Sequence, residues 1–196
     1  MFTDPQIIIN NDGEAVYYPL VFKTVEAQKL LTELLSNIEW QHDEVIMFGK
    51  QITTKRKVAW YAGEGISYTY AGKRKDPLPW SPLLLSIKEK VEKQTGATYN
   101  ACLLNLYHAG DEGMSWHRDN EKEIVPESSI ASVSFGAPRK FAFKHAATAQ
   151  KIELMLDAGS VLDMRGPIQQ HWYHALPPSK KIKDLRVNLT FRLLIK

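Results

Sequence analysis

The residues most able to do chemistry are His117-Arg118-Asp119, inside the stretch Asn105 to Glu121, NLYHAGDEGMSWHRDNE. In an extended segment alternate side chains share a face, so His117 and Asp119 are expected to point the same way. An imidazole nitrogen and a carboxylate oxygen so placed can hold two adjacent positions on one metal ion. A second histidine from a later strand would complete a two-histidine, one-carboxylate face with three positions left open, the arrangement that suits non-haem Fe(II) and O2. His145, His171 and His174 all follow Asp119, and spacing does not choose among them. If 171–174 is a strand, His171 and His174 fall on opposite faces and only one can reach the metal. His145 follows a basic stretch and reads as exposed.

The second chemical pattern is in the last strand, Arg186-Val187-Asn188-Leu189-Thr190-Phe191-Arg192. Its odd positions are apolar and make a core face. Its even positions carry two guanidiniums, an amide and a hydroxyl along about 13 Å. Such a strip could clamp a small dicarboxylate through charge-assisted, bidentate contacts. A half-exposed edge strand with one polar face is the plainer reading. Asn105 and Tyr107 share a face in the same way and could add donors to the same ligand, or be satisfied by backbone.

These groups need a scaffold, and the composition supplies one. The chain has 196 residues, 44% hydrophobic and 24% charged, which suits one globular domain with a sizeable core. The single cysteine, Cys102, excludes an intrachain disulfide and a cysteine-rich zinc site; its apolar surroundings assign it to the core. No apolar run reaches the ~20 residues of a membrane span, and the N-terminus lacks a secretory pattern, so an intracellular, membrane-free protein is expected. The net charge of +3 is unevenly spread. Residues 50–75 hold seven basic side chains against one acid, Glu64, together with Trp60, Tyr61, Tyr68 and Tyr70. Basic residues interleaved with aromatics suit phosphate contact and base stacking; a solvated lysine-rich hairpin is the alternative.

Two helices come early. Ala27, Leu30, Leu31, Leu34, Leu35 and Ile38 recur at helical spacing, with Thr24 expected as the N-cap. The second follows Pro77–Trp80, with Ser81 as N-cap, Pro82 in the first turn, Leu84, Ile87 and Val91 on the apolar side, and Gly96 at the end. Residues 1–23 read as an irregular entry with short extended pieces, Ile7–Ile9 and Val16–Phe22, and no chemistry. Glu44–Gly49 and Lys57–Tyr61 read as strands joined by a basic turn. After Gly96 about eight short strands follow. Helices first and strands after predict a mainly β protein (α+β), a double-sheet barrel or jelly roll with N-terminal helices packed on one outer face.

Several motifs in one order carry a resemblance: FGK (48–50), RKVAWY (56–61), SYTYAG (67–72), NLY (105–107), HRDNE (117–121), IASVSFGAPRKF (130–141), HWYHALP (171–177) and RVNLTFR (186–192). With these the chain resembles the AlkB family of Fe(II)- and 2-oxoglutarate-dependent dioxygenases, in the branch with the human DNA-repair members and their bacterial relatives. The resemblance implies a double-stranded β-helix fold over a single domain, 1–196, with 45–76 as a nucleotide-recognition lid and 99–196 as the jelly-roll core. It implies His117, Asp119 and His174 as ligands of Fe(II). Arg186 and Arg192 would bind the carboxylates of 2-oxoglutarate, with Asn105, Tyr107, Asn188 and Thr190 nearby. It implies Tyr70 stacking on a flipped base, Tyr68 and Glu121 contacting that base, and Arg56 near the damaged strand. Asn120 stands where close relatives often have Asp. Residues 50–55 take the place of a loop that some members push into the duplex, and Ile52 is the only apolar wedge there.

The activity so implied is oxidative removal of N-alkyl groups, as in N1-methyladenine and N3-methylcytosine, from DNA and in some members RNA. It consumes O2 and 2-oxoglutarate and releases succinate, CO2 and formaldehyde. A monomer is expected, nuclear in a eukaryote and cytoplasmic in a bacterium. The alternative within the family is an RNA or non-nucleic-acid substrate. The alternative outside it is a binding module without catalysis, against which the full ligand set and both arginines speak.

Overall fold

The computed structural model describes the backbone of residues 4–47, 50–66, 68–70, 73–75 and 77–195, and their side chains except at 43–47, 50–52, 68–70 and 73–75. In chain order the elements are β1 (Gln6–Ile9), β2 (Glu14–Tyr18), α1 (Thr24–Asn37), β3 (Gln41–Met47), β4 (Lys50–Ala62), β5 (Tyr68–Tyr70), β6 (Lys73–Lys75) and α2 (Pro82–Thr95). There follow β7 (Ala101–Tyr107), β8 (Met114–His117), β9 (Ile130–Gly136), β10 (Arg139–His145), β11 (Lys151–Leu156), β12 (Val161–Arg165), the single turn α3 (Ile168–His171), β13 (Trp172–Leu176) and β14 (Arg186–Arg192). Eight strands form one sheet, in the order β1-β2-β12-β9-β14-β7-β4-β3. Four form a second, β11-β10-β13-β8, and β5 pairs with β6. This is the expected double-sheet jelly roll.

The strand β14 shows why the two faces differ. It lies between β7 and β9, and every one of its residues is buried. Val187, Leu189 and Phe191 point to the outer side of the large sheet. There they join Leu104 and Leu106 of β7, Ala131, Val133 and Phe135 of β9, and the apolar stripes of both long helices. Arg186, Asn188, Thr190 and Arg192 point the other way, between the sheets. The half-exposed edge strand is thereby excluded: one strand separates an apolar core from a polar interior.

The helices follow from their sequences. In α2 the Ser81 hydroxyl accepts the Leu84 N–H at 3.3 Å, Pro82 opens the first turn, and Gly96 closes the helix in the left-handed region at φ 72°. Leu84, Ile87 and Val91 are fully buried beneath it. In α1, Lys23 takes the N-cap position, no side chain caps it, and Thr24 is already helical. The expected Thr24 cap is therefore corrected; tertiary burial of Ala27, Leu31 and Leu34 holds this helix instead.

Two further expectations change, and one is extended. The basic turn is absent, because β4 runs unbroken from Lys50 to Ala62 and pairs with β3 over Gln41–Met47. Thr53 and Thr54 are β-branched, which favours the strand over the turn that lysines suggested. The extended pieces expected at Ile7–Ile9 and Val16–Phe22 appear as β1 and β2, the second ending at Tyr18; β1 pairs with β2 and β2 with β12, extending the large sheet. His145 is buried, not exposed. Cys102 is fully buried in the core, as expected, and burial pushes its thiol well above the usual range.

Leu189 has core on one side and central strands on both edges. Leu189→Ala should cost about 2–5 kcal/mol of stability by leaving a cavity the rigid sheet cannot fill. Urea denaturation checks this, and a loss below about 1 kcal/mol would show that the helices collapse onto the gap.

Candidate active site

The site is built on the inner face of the small sheet. The pairing of β8 with β13 sets His117 directly opposite His174, with ring centroids 4.3 Å apart. Asp119 lies two residues past the end of β8, yet its Oδ1 is 3.9 Å from His117 Nε2 and 4.0 Å from His174 Nε2. All three ligand atoms lie within 4.8 Å of one another. His117 Nδ1 is 2.7 Å from the Ser115 carbonyl, which can only accept, so Nδ1 carries the proton and Nε2 keeps its lone pair toward the cluster. Phe141 stacks on the His174 ring at 5.6 Å, an apolar wall on the buried side.

Two neighbours hold Asp119. Arg192 donates to its Oδ2 through Nη2 at 2.6 Å and Nε at 3.2 Å, leaving Oδ1 turned to the histidines. The Asp119 N–H donates to Gln169 Oε1 at 3.0 Å, and Arg118 Nη1 donates to the Gln170 carbonyl at 2.7 Å. The turn α3 thus holds the chain at Asp119 and at the residue before it. Burial alone would raise the Asp119 pKa, but Arg192, His174 and His117 outweigh it and hold it at about 2. Burial pulls His174 down to about 3 against the attraction of Asp119. At neutral pH the cluster therefore offers a neutral His174 imidazole and an ionised Asp119, with His117 Nε2 turned toward them, a donor set that suits a divalent transition metal.

Arg186 stands at the other end of the interior. Its Nη2 donates to Ser134 Oγ at 2.9 Å, and its guanidinium lies 5.5 Å from the centre of the Tyr107 ring. Burial lowers its pKa to about 10. Among the described residues its Nε finds no acceptor and no carboxylate pairs with it. A buried, uncompensated cation is costly, and an anionic ligand relieves that cost. Between the two ends, Asn188 donates to Ser132 Oγ at 2.8 Å and to the Val133 carbonyl at 2.9 Å, and accepts from Thr190 Oγ1 at 3.1 Å. A cavity of about 220 Å³ joins these groups; Asn105, Tyr107, Glu121, Asn188 and Thr190 line it together with the triad and both arginines.

The remaining predicted residues lie further out. Arg56 is buried and its Nη1 is 3.3 Å from Met114 Sδ, and Met114 lines the cavity. The side chains of Tyr68, Tyr70 and Ile52 lie outside the described residues. His145 and His171 form a separate cluster with Asp12. There the Thr148 N–H donates to His145 Nδ1 at 3.1 Å, so Nε2 carries the proton and donates to Asp12 Oδ2 at 3.1 Å. A metal on that Nε2 would force a proton onto Nδ1 against the Thr148 N–H. This second cluster is a hydrogen-bonded latch, and His174 is the histidine that joins His117 and Asp119.

Sequence reasoning missed Ser132, Ser134, Gln169 and Arg139. The serines were findable, because Ile130-Ala131-Ser132-Val133-Ser134-Phe135 places both on one face opposite Ala131, Val133 and Phe135, as in β14. Arg139 donates to the carbonyls of Gly110, Glu112 and Pro177 and lies 5.8 Å from the Tyr107 ring. Nothing in its local sequence marks this.

A family model described as the 2OG-Fe(II) oxygenase superfamily matches residues 14–192. Over 195 residues the chain is 39% identical to the mouse DNA oxidative demethylase ALKBH2, covering 94% of this chain and 82% of the relative. It is 34% identical to the human alpha-ketoglutarate-dependent dioxygenase alkB homolog 3 over 223 residues, 98% of this chain and 77% of the relative. The chain belongs to the AlkB family of 2OG-Fe(II) oxygenases. A solved structure, described as that of OsALKBH1, superposes with a TM-score of 0.66 over 96% of this chain and 100% of the other at 13% identity, which shows the shared fold. As an AlkB-family dioxygenase the protein uses Fe(II), 2-oxoglutarate and O2. The residues present fit these groups: an N,N,O donor set stands at one end of the cavity and an uncompensated guanidinium at the other.

The shifts set a pH dependence for the metal-free AlkB-family fold. His174 is held neutral, so the folded state binds fewer protons than the unfolded state between pH 3 and 6.5. Its contribution is complete above about pH 6.5 and is lost as pH falls toward 3; Asp119 adds its own loss from pH 3.8 down to about 2. The melting temperature of the metal-free protein should fall as pH drops from 7 to 4.5, and His174→Gln should flatten that slope. Identical slopes would contradict the assignment.

Proposed function

We propose that this protein is an oxidative demethylase of N-alkylated bases in nucleic acid, with N1-methyladenine and N3-methylcytosine in DNA as its substrates. One observation carries the reading: the triad and the uncompensated Arg186 face each other across a single cavity. When bound, Fe(II) with O2 and 2-oxoglutarate supplies the oxidation of the N-alkyl carbon, which leaves as formaldehyde while the cosubstrate leaves as succinate and CO2.

The residues have separable tasks. His117, Asp119 and His174 hold the metal, and Arg192 fixes which Asp119 oxygen is presented to it. Arg186 neutralises the far carboxylate of the cosubstrate, Asn105 and Tyr107 add donors, and Asn188 and Thr190 pave the floor between. Leu103, Phe141 and Leu176 exclude water, which strengthens every charge contact inside. Glu121, in the cavity wall, suits a ring made cationic by N-methylation. Arg56, Tyr68 and Tyr70 belong to substrate recognition, within the segment 45–76 proposed as a nucleotide-recognition lid on the 99–196 core, although its strand β4 is also part of the large sheet, paired with β7. A damaged base that cannot pair is cheaper to extrude, which favours such lesions.

The DNA substrate is supported by the relatives named DNA oxidative demethylases and by the basic, aromatic composition of residues 50–75. No helix among the described residues is long and apolar enough to cross a membrane. A monomer suffices, because one chain supplies every group named.

Mass analysis of methylated DNA and RNA oligonucleotides, after incubation with iron, ascorbate and 2-oxoglutarate, tests the proposal. Loss of 14 Da per methyl group is expected, by replacement of CH3 with H. His117→Ala or Asp119→Ala should abolish it. Arg186→Ala should raise the 2-oxoglutarate KM by at least about tenfold, the loss of a charged hydrogen-bond pair. Full activity in a ligand variant would end the mechanism, and activity on methylated RNA alone would change the substrate.

A further inference from the structure

Trp116 is the only exposed aromatic among the described residues, at 39% exposure. It lies on β8, the edge strand of the small sheet, next in sequence to His117. Neighbours in a strand point to opposite faces, so His117 turns inward to the cavity and Trp116 turns to the outer face and its rim. The cavity lining includes it. The indole is not loose: Lys144 Nζ sits 5.1 Å from its ring centre and 5.7 Å from that of Tyr173, while the Arg118 guanidinium covers the same tyrosine at 4.5 Å. Lys144 stands in register between Tyr173 and Lys151 on that outer face. No carboxylate among the described residues pairs with Lys144, Lys151 or Arg118.

An exposed tryptophan leaves apolar area in water unless something covers it. Here the surroundings are cationic, and the ring begins where the cavity ends. We infer that Trp116 is a specificity-determining residue, a stacking platform for the base next to the extruded one in a single strand. The inference rests on the proposed function and extends it. The occupant must be flat, to cover an indole face, and anionic, to sit among unpaired cations; an unpaired nucleotide is both. It must also be continuous with what enters the cavity, which a neighbouring nucleotide is. In a duplex the base beside the extruded one is still held inside the helix by its pair and by the stack on its far side, so it does not swing out onto the indole as an unpaired base can. The platform therefore gives the protein a preference for unpaired strands.

Wild type, Trp116→Ala and Trp116→Phe, each with Mn(II) and 2-oxoglutarate, are compared by fluorescence anisotropy on single-stranded and duplex DNA carrying one N3-methylcytosine. Loss of one stacked base predicts about tenfold weaker single-strand binding for the alanine variant. Phenylalanine should restore most of it, and duplex binding should change less than about twofold. In turnover, the alanine defect should be several-fold larger on a methylated trinucleotide than on the mononucleotide. Equal losses on single strand and duplex, no loss, or a loss that phenylalanine leaves unrepaired would overturn the platform. Turnover by wild type with an unaltered alanine variant sinks the platform alone. A wild type that neither binds nor demethylates any methylated oligonucleotide sinks the proposed function, and the platform with it.

Discussion

A carboxylate and a guanidinium, both almost wholly buried, meet between the two sheets: Asp119 and Arg192. Burying either alone would cost several kcal/mol, and together they hold each other ionised where water cannot. The pair does more than balance charge. By occupying Oδ2, Arg192 leaves Oδ1 as the oxygen that faces His117 and His174. It also ties the last strand of the large sheet to the loop beyond the edge strand of the small one. The jelly roll can thus be read as a frame that keeps two sheets at the one separation where this contact closes.

The other guanidinium is left unbalanced. Arg186 has a hydroxyl and a tyrosine ring for company but no carboxylate among the described residues. The contrast along one strand is informative. The same residue type, six positions apart on the same face, is paired at one end and held in waiting at the other. A small dianion that reaches the metal with one carboxylate and Arg186 with the other completes the charge balance that folding leaves open.

Much of this was legible in the sequence, for local reasons. The alternation in 186–192 assigns both faces of β14 without coordinates, because a strand has only two. Ser81, Pro82 and Gly96 mark α2 because each satisfies a local backbone requirement. What was not legible depends on distant contacts. Spacing could not separate His174 from His145 and His171, because a single helical turn, α3, resets the register just before β13. That Arg192 engages Asp119 requires knowing which strand lies beneath which loop. Gln169 and Arg139 act through backbone groups far away in sequence, so neither leaves a local signal. Lysines at 50–57 suggested a turn where pairing with β3 makes a long strand. The hairpin β1–β2, whose extended pieces were legible but whose role was not, also bears on the site: Trp172 Nε1 donates to the Asn11 carbonyl at 3.1 Å, and a side chain at Gly13 would collide with the Ile168 backbone. The N-terminus so braces the turn that holds Asp119.

The central claim is that, of the two His/Asp clusters among the described residues, the one at His117, Asp119 and His174 holds the metal and the final strand pins the cosubstrate beside it. Diffraction from crystals grown with Mn(II) and 2-oxoglutarate, with anomalous data, tests it most directly. The account predicts one anomalous peak about 2 Å from His117 Nε2, Asp119 Oδ1 and His174 Nε2, with a ligand carboxylate against Arg186. A peak at Asp12, His145 and His171 instead, or a carboxylate density remote from Arg186, would contradict it.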